Sequence, residues 1–97
     1  MPTYISFIQY TQKGLEAIKD SPKRLEHARK GYEAAGGKLK DFYLVMGEYD
    51  VVAIAELPND EAAAKVALTL GSAGNIRTRT SRAFTESEYR KLIQSLP

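Results

Sequence analysis

The 97-residue chain has no cysteine. That absence removes disulfides, thiolate-held zinc, iron–sulfur clusters and thiol catalysis together. Histidine is nearly absent too. The one copy, His27, leaves no Ser-His-Asp arrangement in view and lacks the partner ligands a metal needs. Neither a metal nor a cofactor is expected. Charge of one sign is also scarce: 14 basic side chains against 12 acidic ones give a net charge of +2. This mild excess hints at small anionic partners and falls short of a nucleic-acid footprint. No apolar run approaches the roughly 20 residues that span a bilayer. The opening Met1-Pro2-Thr3-Tyr4 has no basic segment followed by an apolar one, as a secretory signal would. These absences point to a cytoplasmic protein without a membrane or nucleic-acid partner.

What is present is an ordinary globular composition, 43% hydrophobic and 27% charged, over a length that suits one domain spanning residues 1–97. Thr3 to Thr11 is rich in β-branched and aromatic residues and predicts a strand. Its alternation puts Ile5 and Phe7 on one face and Tyr4, Ser6, Ile8 and Tyr10 on the other. Gln12 to Asp20 suggests a short helical turn packing Leu15 and Ile18. Ser21-Pro22 marks a helix start, with serine as the cap. Leu25, Ala28, Tyr32 and Ala35 follow at helical spacing, and Gly36-Gly37 stops the helix. Strands are predicted over Leu39–Met46 and Tyr49–Leu57, joined by a turn at Gly47-Glu48. Asn59 caps a second helix, Asp60–Leu70, ended by Gly71. A fourth strand covers Asn75–Phe84. Thr85 and Glu88 then form a capping box, with Phe84 and Tyr89 in staple positions, for a last helix carrying Leu92, Ile93 and Leu96.

This order is βαββαβ plus a C-terminal helix, an α+β fold of ferredoxin-like type. Right-handed crossovers place both main helices on one side of the sheet. Yet the strands are apolar on both faces. Phe42, Leu44 and Met46 oppose Tyr43 and Val45, and Val51, Ala53 and Ala55 oppose Val52 and Ile54. An antiparallel sheet with one wet face alternates more cleanly. A second copy covering the bare face, giving a dimeric α/β barrel, is the expected solution.

The segment Gly47-Glu48-Tyr49-Asp50 has the form G-x-Y-D. With Val51–Glu61, Gly74-Asn75-Ile76-Arg77-Thr78, Arg82-Ala83-Phe84-Thr85 and the stretches around Asp20-Ser21-Pro22 and Gly36-Gly37-Lys38-Leu39, it resembles the GYD domain family over nearly the whole chain. The resemblance implies a dimeric α/β-barrel protein; the family's biochemical role is not established. Ser81 and Arg79 depart from the family pattern, which commonly has an apolar and an acidic residue there.

Candidate chemistry is sparse. Gly47, Tyr49 and Asp50 read first as a structural motif: a turn glycine, a packing tyrosine and an aspartate that holds backbone N–H groups. The sharper reading puts Tyr49 and Asp50 at the mouth of a barrel cavity, binding a small molecule. Arg77 and Arg79 share one face of strand four, with Arg82 on the other. They mark a charged edge strand or an anion-binding patch. Tyr43, grouped with Tyr4 and Tyr10 on the second sheet face, suits a dimer interface or an aromatic ligand site. Lys23 and Arg24 oppose the dipole at the start of their helix, a cost that a bound anion, or more simply Asp20, would offset. His27 lies about 200° around the helix from Leu25 and faces water. An RNA-recognition signature is missing from Tyr49–Ile54, and Thr11-Gln12-Lys13-Gly14 is no glycine-rich anion loop.

Three functions follow as expectations. The first is a non-enzymatic homodimeric or higher-order module that binds a small anionic or aromatic molecule or serves as a structural subunit. The second is a cofactor-free oxygenase or isomerase using Tyr49, Asp50 and one arginine in the barrel cavity. The third is a regulatory domain assembling into larger oligomers.

Overall fold

Alternating apolar side chains give the chain its first strand, β1 (Thr3–Tyr10), in which Tyr4, Ser6 and Ile8 are buried while Thr3, Ile5 and Phe7 are half-exposed. The computed structural model describes all residues, Met1–Pro97. After β1 come a five-residue helix α1 (Gln12–Glu16), a 3₁₀ turn (Ile18–Asp20) and α2 (Ser21–Ala34). Then follow β2 (Lys38–Leu44), β3 (Val51–Glu56), α3 (Asp60–Ser72), β4 (Ile76–Ala83) and α4 (Glu86–Gln94). The sheet is antiparallel throughout, in the order β2-β3-β1-β4, so β2 and β4 are its edges.

Local chemistry sets most boundaries. Helix α2 ends in a Schellman motif: Gly37 N–H donates to Tyr32 O and Gly36 N–H to Glu33 O, both at 3.0 Å, with Gly36 at φ +90°. Asn59 caps α3 by accepting from Ala62 N–H at 2.9 Å. The capping box of α4 is complete. Thr85 Oγ1 accepts from Glu88 N–H, and Glu88 Oε1 accepts from Thr85 N–H. The Thr85 backbone N–H, with help from Arg82, holds the Glu88 carboxyl below its ordinary pKa.

Three expectations need correction. Ser21 is not the cap of α2: the preceding 3₁₀ turn runs straight into the helix, so Ser21 is already helical at φ −54°, and Asp20 occupies the cap position. Leu15 and Ile18 do not pack inward, being 51% and 40% exposed; the inward residue of α1 is Gly14, whose Cα lies against the Asn75 backbone. Gly71 does not end α3, which runs on to Ser72 before Gly74 turns the chain at φ +83°.

The core lies on one side of the sheet only. Its buried members are Tyr4, Ile8, Leu39, Val51, Ala53 and Ala55 from the strands, with Tyr32 from α2, Ala63 and Val66 from α3, and Leu57. Helix α3 lies nearest β4, and its Ala63 and Val66 share the core with the small Ala53 and Ala55. Tyr4 closes one end by donating to Asp60 Oδ1 at 2.6 Å. Burial pushes the Tyr4 phenol up, the bond to Asp60 and its negative charge add to this, and Arg82 pulls it partly back; burial raises Tyr32 likewise. A raised folded-state pKa means that folding favours the neutral phenol. Its stabilisation is therefore full below about pH 10 and is lost as pH rises through the folded-state value. The urea midpoint should fall from about pH 10 upward, and it should fall less steeply in Tyr4→Phe.

Candidate functional site

The other sheet face carries no buried residue. Strand register assigns its members: Ile5, Phe7 and Gln9 from β1, Val52 and Ile54 from β3, Asp41 and Tyr43 from β2, and Arg77, Arg79 and Ser81 from β4. The middle is apolar, with Ile5 opposite Ile54 and Phe7 opposite Val52. The Tyr49 ring extends it, tilted against Phe7 with centroids 5.2 Å apart. One rim is basic: Arg77 and Arg79 are exposed and form no ion pair within the chain. The opposite rim presents Asp41 and Tyr43, the latter 57% exposed. Tyr43, Tyr49, Arg77 and Arg79 thus lie on the helix-free side of the sheet.

Asp50 has a different position. Its Oδ2 accepts from Tyr10 N–H at 2.9 Å, while its own N–H donates to Ile8 O and its carbonyl accepts from Val45 N–H. It pins the hairpin connection to the end of β1. Gly47 turns that connection at φ +129°. Removing the carboxylate should leave a half-buried N–H without its partner, at a cost of about 1–3 kcal/mol. Asp50→Ala should therefore lower the thermal midpoint, and Asp50→Asn should recover part of the loss. An unchanged midpoint would contradict the structural role.

Tyr4 and Tyr10 do not join Tyr43. Both point to the helix side, Tyr4 into the core and Tyr10 toward Ser21, its hydroxyl 3.3 Å from Ser21 Oγ. Alternation alone separates the two faces of a strand without saying which one the helices cover. Arg82, read from the sequence with Arg77 and Arg79 as edge-strand charge or an anion patch, instead ties α4 to the sheet. It stacks on the Phe84 ring at 4.6 Å, lies 6.0 Å from the Tyr4 ring centroid, pairs with Glu88 at 3.6 Å and donates to its neighbour Ala83 O. Beyond that tie, Tyr89, Leu92 and Ile93 of α4, and Leu96 just after it, are between 47% and 63% exposed.

A cavity of about 310 Å³ lies on the helix side between α2 and the sheet and is lined by none of Tyr43, Tyr49, Asp50, Arg77 or Arg79. Lys23 and Arg24, which the sequence marked only as cations at the start of α2, are among its lining. His27 is exposed, as its helical phase implies, and stands at the cavity's edge.

A four-stranded antiparallel sheet in this order, roofed by two crossover helices on one face and open on the other, defines an α+β domain of ferredoxin-like type. The chain matches the GYD domain over residues 4–93 and belongs to that family. It is 31% identical, over 84 residues, to the glutamine synthetase and cystathionine beta-lyase binding protein of Thermus thermophilus, covering 86% of this chain and 88% of that one. Among solved structures it is similar to the feast or famine regulatory protein (Rv3291c) from M. tuberculosis complexed with L-methionine. The TM-score is 0.66 at 20% identity, over 88% of this chain and 51% of that one. The chain thus spans about half the length of that regulator. It also resembles TTHA0845 from Thermus thermophilus, with a TM-score of 0.56 at 23% identity over 88% of this chain and 95% of that one. At these identities the structural likenesses speak for the fold. No helix is long and apolar enough to cross a membrane.

Proposed function

We propose that this chain is a non-catalytic binding module that pairs through its helix-free sheet face into a homodimer. The observation that carries this reading is the apolar centre of that face, Ile5, Phe7, Val52 and Ile54, which neither main helix covers. Apolar area of this kind gains roughly 25 cal/mol per Å² on being covered. A second copy fits because an isologous pairing can set one basic rim, Arg77 and Arg79, against the Asp41 rim of the other copy. Tyr43 and Tyr49 flank the seam, as amphipathic aromatics do at interfaces.

The likeness to the Thermus binding protein supports a further part of the reading: the dimer docks on an enzyme of amino-acid metabolism. Mass measurement by light scattering at micromolar concentration tests the first part. The expected result is twice the 10.8 kDa of one chain. A stable monomer would overturn it.

A further inference from the structure

We propose that the cavity on the helix side is a binding site for a small hydrophobic carboxylate. This does not rest on the dimer reading, because the cavity lies on the opposite side of the sheet. It measures about 310 Å³, at the lower end of the roughly 300–1,000 Å³ common for ligand pockets. Its floor is the sheet, with Ile8, Val51 and Ile76, and Leu25 and Ala28 of α2 form the wall. Twelve of its 17 lining residues are hydrophobic. A ligand there must have a hydrocarbon or aryl body, because a polar body would give up water without gaining partners.

The mouth determines the other end of the molecule. Lys23, Arg24 and His27, all on α2, stand among the lining residues, and no aspartate or glutamate does. The three fall at i, i+1 and i+4, so Lys23 and His27 stand one above the other on the helix surface. Their roles differ. Arg24 is already committed, donating to Ala17 O at 2.9 Å and Gly14 O at 3.3 Å, and serves to anchor α2 to α1. Lys23 makes no ion pair, and neither Lys23 nor His27 makes a side-chain hydrogen bond within the chain. Both are exposed. Lys23 also stands in the first turn of α2, where a cation opposes the helix dipole. An anionic head at the mouth meets the Lys23 ammonium and that dipole together. A cationic head is repelled there, and a neutral one gains at most a weaker hydrogen bond from Lys23, without the charge–charge attraction.

The test uses octanoate as the probe, followed by amide NMR on the full chain. Octan-1-ol and octyltrimethylammonium serve as matched neutral and cationic controls. Octanoate should shift the amides of Ala28, Val51 and Ile76, leave Ile5 and Ile54 in place, and bind at least tenfold more tightly than either control. Two variants sharpen this. Lys23→Glu suits the helix dipole better than the native residue, so weaker octanoate binding cannot come from unfolding; a tenfold loss or more is expected. Ala28→Leu keeps a good helix former and fills the cavity, and it should abolish the shifts. Neither variant should change the particle mass, so failure here leaves the dimer reading intact. The proposal is overturned if octanoate does not bind in the millimolar range, if it shifts the open face instead, if octyltrimethylammonium binds equally, or if Lys23→Glu binds as well as the native chain.

Discussion

Ile54→Lys should turn the assembly into monomers while leaving the fold intact. Ile54 is half-exposed in the single chain and stands opposite Ile5 at the centre of the open face. A lysine there can extend its ammonium into water when the chain is alone. In a face-to-face dimer the two-fold operation brings two such charges into the dry middle of the seam. Leaving a charge buried and unpaired costs about 2–5 kcal/mol, which is about a 30- to several-thousand-fold rise in Kd. Light scattering should show the variant at the mass of one chain at concentrations where the native protein is paired. Its circular dichroism should match the native spectrum. Leu68→Lys is the control: Leu68 is 73% exposed on α3, on the other side of the sheet, and the change should leave the mass unaltered. If Ile54→Lys stays paired, the helix-free face is not the seam.

A contrasting pair of glycine substitutions should have the largest effect on stability. A Cβ on Gly37 would lie 1.9 Å from Glu56 O and 2.9 Å from Leu57 Cδ2. The first is a backbone atom of β3, so the sheet itself must yield. Such overpacking costs about 3 kcal/mol, a large part of the roughly 5–15 kcal/mol that holds a small domain together. Gly37→Ala should lower Tm by about 12–24 °C, since 1 kcal/mol corresponds to about 4–8 °C at this size. Gly31 lies inside α2 with nothing within 4 Å of its added Cβ. Gly31→Ala should raise stability by about 0.8–1 kcal/mol through helix propensity alone. Equal effects from the two would show that the turn after α2 does not lie against the Glu56 backbone as described.

The elements that were legible in the sequence are those with a local cause. The Gly36-Gly37 stop, the Asn59 cap and the Thr85–Glu88 box each operate within six residues, and each recurs in the structure. Apolar residues on both faces of β3 foretold a sheet with two greasy sides, and the half-exposed Val52 and Ile54 bear that out. Features that depend on distant chain were harder to read. The irregularity between Leu39 and Asp41 breaks the alternation of β2, so Leu39 and Phe42 share a side although an odd number of positions separates them. The cavity draws on residues from Ile8 to Ile76, and no local pattern marks them as neighbours. Asp50 looked like a turn residue, and its carboxylate instead reaches 40 positions back to Tyr10.

Helix α4 has nine residues, and its greasy stripe is left half bare. In water, isolated helices shorter than about 12–15 residues are marginal. The terminal box and the tie to Arg82 start this one, but little within the chain sustains its last turns. A partner that came to rest against Leu92 and Ile93 would therefore add to its order. Capture of such a neighbour and stiffening of the tail would then be a single thermodynamic event, with the entropy of the last residues setting part of its strength.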